Sequence, residues 1–212
     1  IYIKENLRKN LLKKICILDY GLGNIKSLYN AIKEIGYQPN FFSEGKYKFY
    51  DHVFIPGVGS YLKGSKLLKN PKILNFLKES RKDSNILGIC LGMQLLLTSG
   101  YEGGKNSGLD FIKGNVRLLK KKNKSLILPF VGYKKVNFDI EKAKYLKKFQ
   151  NQKFYFVHSF EVKPRKINIL SHTKEQSLKY VSSIINNNIM GFQFHPEKSG
   201  EIGLEFIETI IK

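Results

Sequence analysis

Two periodicities divide the chain. In the first half, short aliphatic runs alternate with segments whose apolar positions return every three or four residues. Lys14-Ile15-Cys16-Ile17-Leu18 is continuously apolar after its lysine, which predicts a strand buried on both faces. Gly21-Leu22-Gly23-Asn24 predicts a turn, and Ile25 to Ile35 a helix with Leu28, Ile32 and Ile35 on one stripe. Gly36 is placed to stop that helix. Phe41-Phe42 and Val53-Phe54-Ile55 predict two further strands, the latter followed by a Pro56-Gly57-Val58-Gly59 loop. A helix is expected after Pro71 within Leu67 to Ser80, then a fourth strand over Asn85 to Ile89, then a helix starting over Leu91 to Leu97. This β-α-β-α order predicts an α/β sheet with helices on both faces.

The second half is mostly extended. Val116 to Leu119, Ser125 to Leu128, Lys135 to Phe138, Phe154 to Glu161, Ile167 to Leu170, Tyr180 to Ile185 and Ile189 to Phe194 all read as strands. Strands without intervening helices predict antiparallel hairpins added to the sheet. Asn186-Asn187-Asn188 suits a hairpin turn, since asparagine tolerates positive φ. Glu201 to Lys212 closes the chain as an amphipathic helix.

At 212 residues, 42% of them hydrophobic, the chain is long enough for one well-buried core. No apolar run reaches ~18 residues, so no membrane-spanning helix is expected. Ile1 to Lys14 is too charged for a secretory signal. Cys16 and Cys90 are too few for a disulfide scaffold, which points to a reducing, cytoplasmic setting. The net charge of +20 favours acidic partners in general. Its lysines, however, are spread along the chain as a compositional bias, and the densest run, Lys120-Lys121-Lys122-Asn123-Lys124, reads as a solvated turn. No zinc-finger spacing or ribonucleoprotein aromatic motif accompanies it, so no nucleic-acid partner is expected.

Gly88-Ile89-Cys90-Leu91-Gly92 puts a cysteine where a buried strand becomes a helix. Small neighbours permit a tight turn, and the helix start favours thiolate over thiol. Leu91 N–H is then a candidate oxyanion donor. In Phe192-Gln193-Phe194-His195-Pro196-Glu197, the carboxylate two residues from the histidine can fix its tautomer. His195 can then accept the Cys90 proton and return it to a leaving group. The glycine loop from Pro56 to Gly59 could bring a second oxyanion donor, from Val58 or Gly59.

These segments resemble the class I glutamine amidotransferases. Gly88 to Gln94 and Gly191 to Ser199 carry that likeness. Asp19 to Asn24, Pro56 to Gly59 and Phe156-Val157-His158-Ser159-Phe160 are similar to the glutaminase-subunit branch of imidazole glycerol phosphate synthase. The likeness runs over 14–212 as one amidotransferase domain, leaving 1–13 as an extension or added remnant. It implies a flavodoxin-like three-layer fold, with a mostly parallel central sheet and an added antiparallel portion. It also implies hydrolysis of glutamine to glutamate and ammonia by Cys90, His195 and Glu197. Gly57, Gly59, Leu91, Gln94, Glu102, His158, Ser159 and Phe160 are implied substrate contacts. The family needs no metal or organic cofactor and passes ammonia to a (β/α)8-barrel synthase subunit in histidine biosynthesis.

The partner-facing segment departs from the family pattern: Phe130 stands for its histidine, Tyr133 for its tryptophan and Lys134 for its asparagine. Paralogous amidotransferases that amidate sugars of surface polysaccharides therefore remain an alternative source of the acceptor. Outside the amidotransferases, the alternatives are a stand-alone Cys-His hydrolase on the same architecture, such as a γ-glutamyl peptidase, and a catalytically dead interaction module, against which the intact Cys90, His195 and Glu197 argue.

Overall fold

The computed structural model describes residues 13–42, 49–119, 128–175 and 178–212. The expectations for 1–12, for the lysine run from Lys120 to Lys124 and for Ser125 to Ile127 lie outside them.

β1 (Ile15–Ile17), β2 (Pro39–Phe41), β3 (His52–Gly57), β4 (Asn85–Cys90) and β13 (Ile189–Phe192) form the parallel half of a central sheet in the order β2-β1-β3-β4-β13. β12 (Leu178–Asn186), β11 (Ile169–Glu175), β8 (Phe130–Phe138) and β9 (Lys153–His158) continue it antiparallel beyond β13. A smaller sheet has the order β10-β7-β5-β6, from β10 (Phe160–Pro164), β7 (Ile112–Leu118), β5 (Leu97–Gly100) and β6 (Asn106–Ser107). The Asn186-to-Asn188 turn joins β12 to β13, with Asn187 at φ 53°.

Alternation along the strands builds two cores. Ile15, Ile17 and Phe54 face one side, with α1 (Ile25–Glu34) and α5 (Gly200–Ile211). Cys16, Val53 and Ile55 face the other, with α2 (Tyr61–Leu68) and α3 (Pro71–Asp83). Phe138, Phe154, Phe192, Phe194 and Phe206 interlock in the first core through edge and tilted ring contacts, such as Phe154 on Phe194 at 4.4 Å.

Several local expectations are revised. The strand expected over Ile167 to Leu170 begins only at Ile169, because Lys166–Asn168 form a 3₁₀ turn, and it runs on to Glu175. The helix expected to start over Leu91 to Leu97 stops at Leu95, so α4 is Leu91–Leu95 and Leu97 already opens β5. Apolar periodicity cannot separate helix from strand in the buried run Leu95-Leu96-Leu97. The single run from Phe154 to Glu161 is two strands in different sheets, parted at Ser159. Helix α2 was not anticipated, although Ser60 caps it by accepting from Lys63 N–H at 3.3 Å. Among the described residues, no helix is long and apolar enough to cross a membrane.

Candidate active site

Cys90 ends β4 and immediately precedes α4, at φ 53° and ψ −109°. A non-glycine residue adopts this conformation only when its surroundings force it. They do so by close packing. A Cβ on Gly88 would lie 2.7 Å from Met93 N, and one on Gly92 would collide with the Ile55 carbonyl. The flanking glycines are thus needed for the bend that carries the sulfur, as the sequence pattern predicts.

The two cysteines differ in setting. Cys16 is sealed in the core, where burial pushes its thiol up to about 12 even though Tyr50 hydrogen-bonds to it. Cys90 keeps 6% exposure at the edge of a cleft. Its sulfur donates to the Val157 carbonyl at 3.7 Å and accepts from Gln193 Nε2 at 3.6 Å.

His195 follows β13 in extended conformation, and Glu197 lies in the short 3₁₀ turn after it rather than on a continued strand. The turn still brings the two together: His195 Nδ1 donates to Glu197 Oε1 at 2.8 Å, with both side chains buried. Burial lowers the proton affinity of His195, but Cys90 and Glu197 outweigh it and raise the imidazole to about 10. Nε2 is buried and left without a directed hydrogen bond. The backbone is pinned as well. His195 N–H donates to Tyr155 O at 2.8 Å, and Ser199 Oγ donates to His195 O at 2.6 Å while accepting from Tyr155 N–H at 3.0 Å. The sequence pattern assigns no role to Ser199 or Gln193; both lie in the segment from Gly191 to Ser199, and only their tertiary contacts reveal what they touch.

A cleft of about 180 Å³ opens above Cys90. Val58, Gly59, Leu91, Gln94 and Glu102 line it on one side, with His158, Ser159 and Phe160 where the chain passes from β9 to β10. Both proposed sources of oxyanion donors therefore border one space. Gly57, expected as a substrate contact, is not among the residues lining the cleft; it is packed so closely that a Cβ there would come within 2.6 Å of the Tyr20 hydroxyl. The His158 imidazole is buried against Phe156 and Tyr180, with Nδ1 2.9 Å from Phe160 O, and burial lowers it to about 4. Glu102 accepts from Tyr61 N–H at 2.6 Å, so part of its carboxylate is already used at the start of α2. Among the described residues, no group of three or more His, Cys, Asp or Glu is arranged to hold a metal ion.

Residues 16–210 match the family description "Glutamine amidotransferase class-I". The chain belongs to the class I glutamine amidotransferases. Relatives within reach of this amidotransferase include the imidazole glycerol phosphate synthase subunit HisH of Caldanaerobacter subterraneus subsp. tengcongensis, 37% identical over 92% of this chain and 96% of the relative. Subunit HisH 1 of Campylobacter jejuni is 37% identical over 93% of this chain and 99% of its own length. Among solved structures, PurLQS from Thermotoga maritima superposes with a TM-score of 0.72 at 18% identity, covering 94% of this amidotransferase and 97% of that chain. That likeness supports the α/β amidotransferase fold.

Proposed function

We propose that the chain is the glutaminase subunit of an imidazole glycerol phosphate synthase, working as one amidotransferase domain over 14–212. The observation that carries this reading is that Cys90 ends β4 at a glycine-bordered cleft while His195, held by Glu197 at 2.8 Å, follows β13, the strand paired beside β4. The names of its relatives support the choice of pathway.

His195 takes the Cys90 proton, and the thiolate attacks the side-chain amide carbon of glutamine. N–H groups of Leu91 and of Val58 or Gly59 receive the oxyanion. The imidazolium gives its proton to the departing nitrogen, the C–N bond breaks and ammonia leaves a γ-glutamyl thioester. Water, deprotonated by His195, adds to the thioester; the C–S bond breaks, glutamate departs and Cys90 regains its proton. Gln94, Glu102 and the Ser159-Phe160 backbone hold the amino-acid end. Ammonia passes to a (β/α)8-barrel synthase subunit in a cytoplasmic heterodimer.

The face around β8 supports a docking role. Val131 and Tyr133 are about half exposed, and the Tyr133 hydroxyl donates to the Lys198 carbonyl at 2.9 Å, three residues from His195. Of the three departures only Tyr133 lies on this exposed face, whereas Phe130 is buried in the core and Lys134 sits over its ring, paired with Glu175. Tyr133 at this face favours a second reading, in which the barrel partner amidates a surface-polysaccharide sugar. The test is glutamate release by the chain alone and beside each type of barrel partner. Strong stimulation by the histidine-pathway barrel supports the first reading, and stimulation only by the sugar-amidating barrel selects the second. Turnover that persists in Cys90→Ala rejects the mechanism.

A further inference from the structure

Gln193 is fully buried at the end of β13, between two phenylalanines of the core. Its backbone N–H donates to Ser182 O at 2.9 Å. Its side chain leaves the phenylalanine layer and reaches the Cys90 sulfur, Nε2 to Sγ 3.6 Å. On its other side, Gln94 Nε2 lies 3.1 Å from Gln193 Oε1 and 3.3 Å from the Phe160 carbonyl.

This chain of contacts orients both amides without ambiguity. A backbone carbonyl only accepts, so the Gln94 atom beside Phe160 O is the nitrogen. That nitrogen donates, so the Gln193 atom beside it is the oxygen. The Gln193 nitrogen therefore faces the sulfur. The sulfur's other fixed polar neighbour, the Val157 carbonyl, is an acceptor that suits the thiol and opposes the thiolate. Once the proton has moved to His195, the imidazolium Nε2–H can donate to the sulfur, and Gln193 Nε2 is already in place as a second donor.

We propose that Gln193 is a further catalytic residue: its carboxamide N–H stabilises the Cys90 thiolate, in an orientation imposed by Gln94 and the Phe160 carbonyl. The proposal rests on the reading of Cys90 as nucleophile. It also ties the sulfur to the cleft wall, because Gln94 and Phe160 border the space in which the substrate is seated. Among the described residues, the titratable groups around the sulfur are His195 and Glu197 after β13, Tyr20 after β1 and, across the shared cleft, Glu102 and His158, and Gln193 substitutions leave all five in place.

The test is the pH dependence of Cys90 alkylation by iodoacetamide in the full chain, read at the Cys90 peptide by mass spectrometry, with glutamine kinetics beside the barrel partner. In Gln193→Met the alkylation midpoint is expected to rise by about one pH unit, and kcat to fall about tenfold or more with KM changed less than about twofold. Gln94→Met, which frees the amide to turn, is expected to raise the midpoint by less, and the double variant no further than Gln193→Met. An unchanged midpoint in folded Gln193→Met overturns the proposal. Should that variant not fold, an unchanged midpoint in Gln94→Met does so. A wild-type chain that makes no glutamate beside any barrel partner removes the glutaminase reading instead, while the alkylation midpoints still report whether Gln193 stabilises the thiolate.

Discussion

The carboxylate of Glu102 and the backbone N–H of Tyr61 meet at 2.6 Å, so a residue bordering the substrate cleft also closes the N-terminal turn of α2. The two duties can be separated. Glu102→Gln keeps an acceptor for Tyr61 and is expected to preserve thermal stability while raising KM for glutamine severalfold. Glu102→Ala removes the acceptor and is expected to lose a further ~1 kcal/mol of unfolding free energy, measured by urea titration.

Glu197 holds one ring nitrogen of His195 and leaves the other for the sulfur. In Glu197→Gln the buried partner no longer selects that tautomer. Turnover is expected to drop about a hundredfold or more with KM little changed, in steady-state assays with the barrel partner present. Ser199→Ala breaks the link between Tyr155 N–H and His195 O and is expected to cost ~1–2 kcal/mol of stability with a smaller loss of kcat.

Gly92 faces the Ile55 carbonyl with no room for a methyl group. Gly92→Ala must displace β3 or α4, so unfolding at several-fold lower urea concentration, or failure to accumulate as folded protein, is expected. A variant with wild-type stability and activity would contradict the close packing of the bend.

His52 and His158 are both buried and neutral, each lowered to about 4 chiefly by burial, from an ordinary value of 6.5. Between those values the unfolded chain binds protons that the folded chain refuses, so stability falls as pH drops from about 6.5 through 4, by on the order of 3 kcal/mol for each histidine. His195 acts in the opposite sense. Burial alone lowers it, but Cys90 and Glu197 carry it to about 10, so its contribution is complete below pH 6.5 and fades as pH rises through 10. Urea midpoints measured across this range should fall at both ends, and His52→Phe should flatten the acid limb.

The parallel core strands, the bend at Cys90 and the His-Pro-Glu segment were legible because each depends on local pattern: continuous apolar runs, small residues beside a cysteine, a carboxylate two residues from an imidazole. α2 was hidden because Gly64 interrupts its pattern, packed 2.8 Å from Leu95 where a Cβ would sit. The break at Ser159 was hidden because β9 and β10 are both rich in apolar residues, and only the competing partners Phe130 and Leu118 reveal that the chain changes sheets. Gln193 and Ser199 were quoted in a motif yet mute, since their meaning lies in contacts such as Cys90 and Tyr155, far away along the chain.

β4 and β13 are adjacent parallel strands with Gly88 opposite Gly191 and Ile89 opposite Phe192. Sulfur and imidazole thus depart from the ends of two neighbouring rails, whose separation of roughly 4.8 Å is a constant of backbone pairing. Side chains around the cleft can drift to suit a new acceptor or docking partner while the gauge between the reacting groups stays fixed.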